Sequence, residues 1–94
     1  MPFKVEHCTK AKEFFVLLNN SRSVLQYAEL SNKVIDFYHT EVPPEQQGQG
    51  IAKDLVKEGL TYAKQNEFTV RPTCWYVAKY INQNGSEGAQ VEKS

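Results

Sequence analysis

The chain has 94 residues, 40% of them hydrophobic and 12% aromatic, enough apolar matter for one modest core. Lys and Arg number 11 and Asp and Glu number 11, a zero formal balance that argues against a dedicated nucleic-acid binder. No apolar run approaches the roughly 18 residues of a membrane span, no signal-peptide core opens the chain, and two cysteines cannot make a disulfide scaffold, so an intracellular, cytoplasmic protein is expected, with the nucleus also open to it.

Phe3 to Cys8 alternates apolar and polar residues, the period of a half-buried strand. Glu13 to Leu18 is a short apolar run that predicts a second strand. Asn19 to Ser23 is turn-rich, because Asn and Ser side chains bond their own backbone. Val24 to Leu30 predicts a third strand, Ser31 to Lys33 a tight turn, and Val34 to Glu41 a fourth strand with apolar residues on both faces. The first 41 residues thus read as an antiparallel meander.

Val42 to Gly50 is a breaker-rich loop, in which Pro43 and Pro44 end the strand because they lack amide donors. From Ile51 the period changes. Ile51, Ala52, Leu55, Val56, Gly59, Leu60 and Ala63 make one apolar stripe, and Lys53, Asp54, Lys57, Glu58 and Lys64 lie opposite it. This predicts a helix over Gly50 to Gln65, with Asn66 as its stop. Phe68 to Cys74 reads as a strand limited by Pro72, and Trp75 to Asn82 as a short helix. Asn84 to Ser94 offers almost nothing to bury and is expected to be a disordered tail after a single domain of residues 1–83.

Strand, glycine-containing loop and helix in that order suit an anion. Glycine lets the backbone approach closely, and the first amides of a helix lack internal partners. Gln47-Gly48-Gln49-Gly50-Ile51-Ala52 is placed for this role, although the glycines would equally serve a plain tight turn. A nucleotide P-loop needs four residues between its glycines and a following Lys-Ser/Thr, and this loop has one. The dinucleotide fingerprint wants a third glycine where Lys53 stands. Both fit poorly.

The segment Val42-Pro43-Pro44-Glu45-Gln46-Gln47-Gly48-Gln49-Gly50-Ile51-Ala52 resembles the acetyl-CoA loop of the GNAT superfamily of N-acetyltransferases, typically Val-x-Pro-Glu-x-Arg-Gly-x-Gly-Ile-Gly/Ala. With His39-Thr40-Glu41-Val42-Pro43 before it and Pro72-Thr73-Cys74-Trp75-Tyr76-Val77 after it, the pattern is similar to the minimal, N-acetyltransferase domain-containing type. The resemblance spans Val5 to Asn82. It implies an α/β fold: a mixed, twisted sheet with antiparallel N-terminal strands, one long and one short helix, and central strands Val34–Glu41 and Phe68–Cys74 splayed around a pantetheine arm.

The resemblance also implies acetyl-CoA as cofactor and an unknown small-molecule or protein amine as acceptor. Glu41 and Val42 would offer backbone groups to the pantetheine, and Gln47, Gly48, Gln49, Gly50, Ile51 and Ala52 would hold the pyrophosphate by main-chain amides. Two residues depart from the pattern. Glu45 stands where the superfamily often has Gln or Arg, and Gln47 where it favours Arg. Losing that cation weakens the hold on phosphate by ~1–3 kcal/mol, and Lys53 in the first helical turn can compensate.

Four side chains are candidates for the chemistry, each with a plainer role beside it. Cys74 can accept acetyl as a thiolate nucleophile, or be a packed thiol sharing strand parity with Phe68 and Val70. His39, on a strand face with Ile35 and Phe37, can be a general base or a core histidine. Glu41 can be the base or a solvated carboxylate. Tyr80 falls near the tyrosine that protonates the CoA sulfur in larger relatives, with Tyr76 as the alternative, and core packing explains either. Trp75 can flank the cofactor arm or belong to the core. His7, Cys8, His39 and Cys74 show no metal-ligand spacing, and no metal is expected. The expected function is acetyl transfer to an amine, directly or through an acetyl-cysteine. Its rivals are a CoA-binding module without efficient turnover and an interaction domain that has lost the ligand. The oligomeric state is not legible.

Overall fold

The computed structural model describes residues 3–92. Four antiparallel strands come first, β1 (Glu6–Cys8), β2 (Glu13–Leu18), β3 (Ser21–Leu30) and β4 (Val34–Glu41). Asn19-Asn20 joins β2 to β3 as a two-residue turn, with φ of 53° and 64°. That left-handed geometry matches the twist of the strands, and asparagine tolerates it. The turn is shorter than the expected Asn19–Ser23, so Ser21 to Ser23 enter β3.

Helix α1 (Ile51–Gln65) then crosses the sheet, and β5 (Thr69–Arg71) returns parallel to β4. Helix α2 (Trp75–Asn84) leads to β6 (Gln90–Val91), parallel to β5, and the sheet order is β1-β2-β3-β4-β5-β6. The predicted stripe of α1 is the buried one: Ile51, Leu55, Val56, Gly59, Leu60 and Ala63. It joins Phe14, Leu25, Tyr27, Phe37, Val77 and Tyr80 in one core. Gly59 sets the spacing, since a Cβ there would lie 2.9 Å from both Leu25 Cδ2 and Phe37 Cε1. Only glycine lets helix and sheet sit this close.

β4 and β5 pair over Val34–Asp36 and Thr69–Arg71 and no further. Pro72 supplies no amide donor, and the chain turns away towards α2. The strand expected to reach Cys74 therefore stops at Arg71, and Cys74 is instead the N-cap of α2. A β-bulge adds to the divergence. Gln26 stands opposite His39 but Tyr27 opposite Phe37, leaving Tyr38 as the extra residue on β4.

That extra residue corrects the expected placement of His39. Beyond Tyr38 the alternation reverses, so Thr40 stands opposite Leu25 on the helix-covered face. His39 stands opposite Gln26, on the face away from the helices, and no longer shares a face with Ile35 and Phe37.

The expectation of a disordered tail is also overturned over Asn84 to Glu92; Lys93 and Ser94 lie outside the described residues. Gly85, at φ 83°, ends α2, and Ser86 Oγ closes the next turn by donating to Ala89 O at 2.6 Å. Ala89 is buried, Glu92 N donates to Val70 O at 2.8 Å, and Arg71 clasps the Glu92 carboxylate with two bonds of 2.6 and 3.0 Å. A polar segment is thus held by main-chain and charged contacts that composition does not register. No helix among the described residues is long and apolar enough to cross a membrane.

Candidate functional site

Below the point where β4 and β5 part, Pro44 to Gln46 form one 3-10 turn, with Gln46 N donating to Pro43 O at 2.9 Å. Gly48 and Gly50 follow at φ 85° and 81°, a conformation that disfavours any side chain. The first bond of α1 runs from Asp54 N to Gly50 O at 3.0 Å. The amides of Ile51, Ala52 and Lys53 lie ahead of it, and no side chain caps them. Among the described residues, the Gly48 and Gly50 amides also donate to no acceptor. The residues carrying these donors, with Val42, Gln46, Gln47 and Tyr76, line a cleft of about 380 Å³. Free amides, the positive end of a 15-residue helix and one lysine make an anion cradle. Glu41 and Gln49, also expected at the cofactor, are not among the lining residues.

The side chains of the loop explain the two departures from the family pattern. Glu45 turns to the β2–β3 hairpin, where it accepts from Ser21 Oγ at 2.7 Å. That hydrogen bond holds its carboxyl below the usual range. Gln47 Nε2 donates to Val42 O at 3.0 Å, bracing the loop across its own mouth. Gln46, which the sequence reading passed over, is buried and bonded at both ends of its amide, to Ser23 and to Leu18. One of three glutamines in a polar loop, at 46, 47 and 49, it carries no local sign of this.

Where α2 begins, Cys74 N donates to Phe37 O at 2.9 Å and bridges the gap between the diverging strands. Its sulfur, in a residue only 8% exposed, lies 3.3 Å from Thr40 Oγ1. Thr40, not His39, is therefore the β4 side chain that meets Cys74. His39 and Glu41 form a pair of their own, Nε2 to Oε1 at 3.4 Å, on the face away from the helices. Their side chains are 49% and 70% exposed.

Tyr80 is buried and donates its hydroxyl to Glu87 at 2.7 Å, and burial with this contact pushes its pKa up to about 12. Tyr76 is the tyrosine that lines the cleft, and burial raises its pKa as well. A phenol kept protonated at neutral pH is a hydrogen donor at the cleft wall. Trp75 does not join the core: it is 73% exposed, stacked edge-on to Tyr76. Another cleft of about 390 Å³ lies at the far end of α1, between Lys64, Glu67 to Thr69 and Gly88 to Gln90. It sits at the C-terminal, negative end of the helix, where an anion is disfavoured.

A sequence profile of the GCN5-related N-acetyl-transferase family matches residues 13–91. The chain belongs to the GNAT superfamily. It is similar to Protein NATD1 of Gallus gallus, 40% identical over 85 residues, covering 88% of this chain and 77% of that one. Protein NATD1 of Homo sapiens is 39% identical over 85 residues, covering 88% and 75%. A solution NMR structure of a GCN5-like protein from Staphylococcus aureus superposes with a TM-score of 0.76. It covers 99% of this chain and 91% of that one at 21% identity, a likeness of fold. The mixed sheet, the antiparallel first strands and the paired long and short helices are those of a GNAT domain.

Membership places the cleft between the loop and α2 in the frame of a CoA-using family. The residues present fit the group on one observation: five residues with unpaired main-chain donors, Lys53 among them, line one cleft, and donors of this kind suit a diphosphate.

Proposed function

We propose that the protein is an N-acetyltransferase that takes acetyl-CoA and an amine. The observation that carries this reading is the set of unpaired amides at Gly48, Gly50, Ile51, Ala52 and Lys53, opening on one cleft with Tyr76. Those amides and Lys53 would hold the diphosphate, and the main chain at Glu41 and Val42 would run beside the pantetheine arm. The bound group supplies an acetyl thioester, activated for attack by an amine.

The remaining chemistry belongs to the chain. Glu41, or His39 beside it, accepts the proton of the incoming amine, directly or through water, and their solvent exposure keeps both in reach of it. Tyr76 holds a proton at the cleft wall, ready for the departing sulfur. Tyr80 is a poorer donor, since its proton is already committed to Glu87. Cys74 offers the alternative acetyl acceptor, and its burial and contact with Thr40 favour a packed thiol over a travelling nucleophile.

A CoA titration followed by amide NMR tests the reading. Gln47 to Ala52 are expected to shift, and an unchanged loop at millimolar CoA removes it. Acetylation of any member of an amine panel then separates enzyme from binding module. The module reading rests on the solvated, weakly held His39–Glu41 pair and predicts CoA binding without turnover. Intact-mass measurement after incubation with acetyl-CoA reads the cysteine route: no added acetyl on Cys74 excludes it.

A further inference from the structure

We infer that Gln46 is the positioning residue of the amide cradle, holding Gly48 to Lys53 in their donor-presenting shape by clamping the loop to the β2–β3 hairpin. The inference rests on reading that cradle as the diphosphate site. Gln46 is 2% exposed, whereas Glu45, Gln47 and Gly48 on either side are all exposed. Its Oε1 accepts from Ser23 Oγ at 3.0 Å, and its Nε2 donates to Leu18 O at 2.5 Å. Ser23 is itself fully buried. The neighbouring bond from Ser21 to Glu45 adds an outer tie on the same hairpin.

The cradle needs such a tie. It contains two glycines in left-handed conformations, and an isolated glycine has many backbone states to lose. Its donors are useful because they are unpaired, so they contribute no bonds that would hold the loop in place. The bond from Gln47 Nε2 to Val42 O braces the mouth of the loop from within, and the tie that seats the loop on the rest of the fold is Gln46. At Gln46 the requirement is for one side chain that accepts from a hydroxyl and donates to a carbonyl while buried. A carboxamide does both; glutamate lacks the donor, and methionine of similar length lacks both functions. If the loop presents its amides for only a fraction of the time, the apparent Kd rises by the reciprocal of that fraction.

The test compares CoA with S-acetyl-pantetheine, which lacks the diphosphate, in amide NMR titrations of wild type, Gln46→Met and Ser23→Ala. Thermal melts show which variants are folded. Gln46→Met is expected to raise the Kd for CoA about tenfold, and Ser23→Ala about threefold, as net losses of two bonds and one. The Kd for S-acetyl-pantetheine stays within about twofold, since no part of it reaches the cradle. A general loosening of the fold would weaken both ligands alike, and that outcome overturns the inference. So does wild-type CoA affinity in folded Gln46→Met. Should Gln46→Met not fold, Ser23→Ala carries the same comparison. Wild type that binds S-acetyl-pantetheine but not CoA sinks the cradle as a diphosphate site and this role with it, a result distinct from either variant outcome.

Discussion

The two sides of the site are built by different means. On the loop side the working groups are main-chain amides, fixed by left-handed glycines, the start of α1 and a buried glutamine. The side proposed for the acceptor holds His39 and Glu41, 49% and 70% exposed and joined by one contact of 3.4 Å. The first side is set by backbone geometry that most side-chain changes leave alone. The second depends on side chains that solvent can reorient. Cofactor affinity and acceptor chemistry should therefore respond to different substitutions.

The sharpest separation comes from the two tyrosines of α2. Tyr76→Phe removes the proton donor at the cleft wall and is expected to lower kcat about 100-fold, the low end for a lost general acid. The KM for acetyl-CoA should stay within about threefold, because the diphosphate cradle is untouched. Tyr80→Phe removes the bond to Glu87 instead and should cost about 1 kcal/mol of stability with kcat little changed. Steady-state kinetics beside urea unfolding distinguishes them. If Tyr80→Phe proves the catalytic lesion, the acid has been assigned to the wrong residue.

Two glycines make the same contrast one step down. Gly59→Val drives a branched side chain into Leu25 and Phe37, and overpacking of this kind costs about 1–3 kcal/mol. Its midpoint in urea should fall while the CoA Kd of the folded protein holds. Gly50→Ala meets nothing within 4 Å, so the whole penalty is the left-handed backbone, about 1–2 kcal/mol, and it falls on the cradle. There CoA affinity should drop about tenfold or more with a smaller loss of stability. Equal effects of both variants on affinity would dissolve the distinction between packing glycine and site glycine.

These cases show what the sequence makes legible and where it stops. The stripe of α1 and the glycines at its start repeat or cluster within a few residues, so their physical cause is local. The features missed all have their cause far along the chain. Tyr38 becomes a bulge only because of how β3 meets β4, and that one residue exchanges His39 for Thr40 beside Cys74. Gln46 is polar in a polar loop until Leu18 and Ser23 are brought to it. The stretch after Asn84 looks unfoldable by composition, yet it is held by Arg71 and by the free edge of β5.

The two histidines carry the contrast into pH. His39 lies on the solvated face, whereas His7 is stacked on Phe14 at 4.0 Å between ring centres and meets Tyr62 edge-on at 4.5 Å. His7 Nε2 lies 2.6 Å from the Tyr27 hydroxyl. Burial keeps Tyr27 protonated well above its ordinary range, so its hydroxyl donates and the imidazole accepts. Protonating His7 removes that acceptor and puts a cation among aromatic walls. Burial accordingly lowers its pKa, outweighing the pull of Glu29, with Lys12 acting in the same direction as burial. In the unfolded chain His7 binds its proton at the ordinary value of about 6.5, before the folded protein does. The contribution to stability is whole above that pH. It shrinks as pH falls from about 6.5 towards the lowered folded value, and below that value it changes no further. Urea midpoints between pH 7.5 and 5.5 should therefore decline in wild type and decline less in His7→Gln, which keeps an acceptor without a titrating ring. A slope in His7→Gln as steep as that of wild type would mean that a group other than the aromatic-walled histidine couples folding to protons.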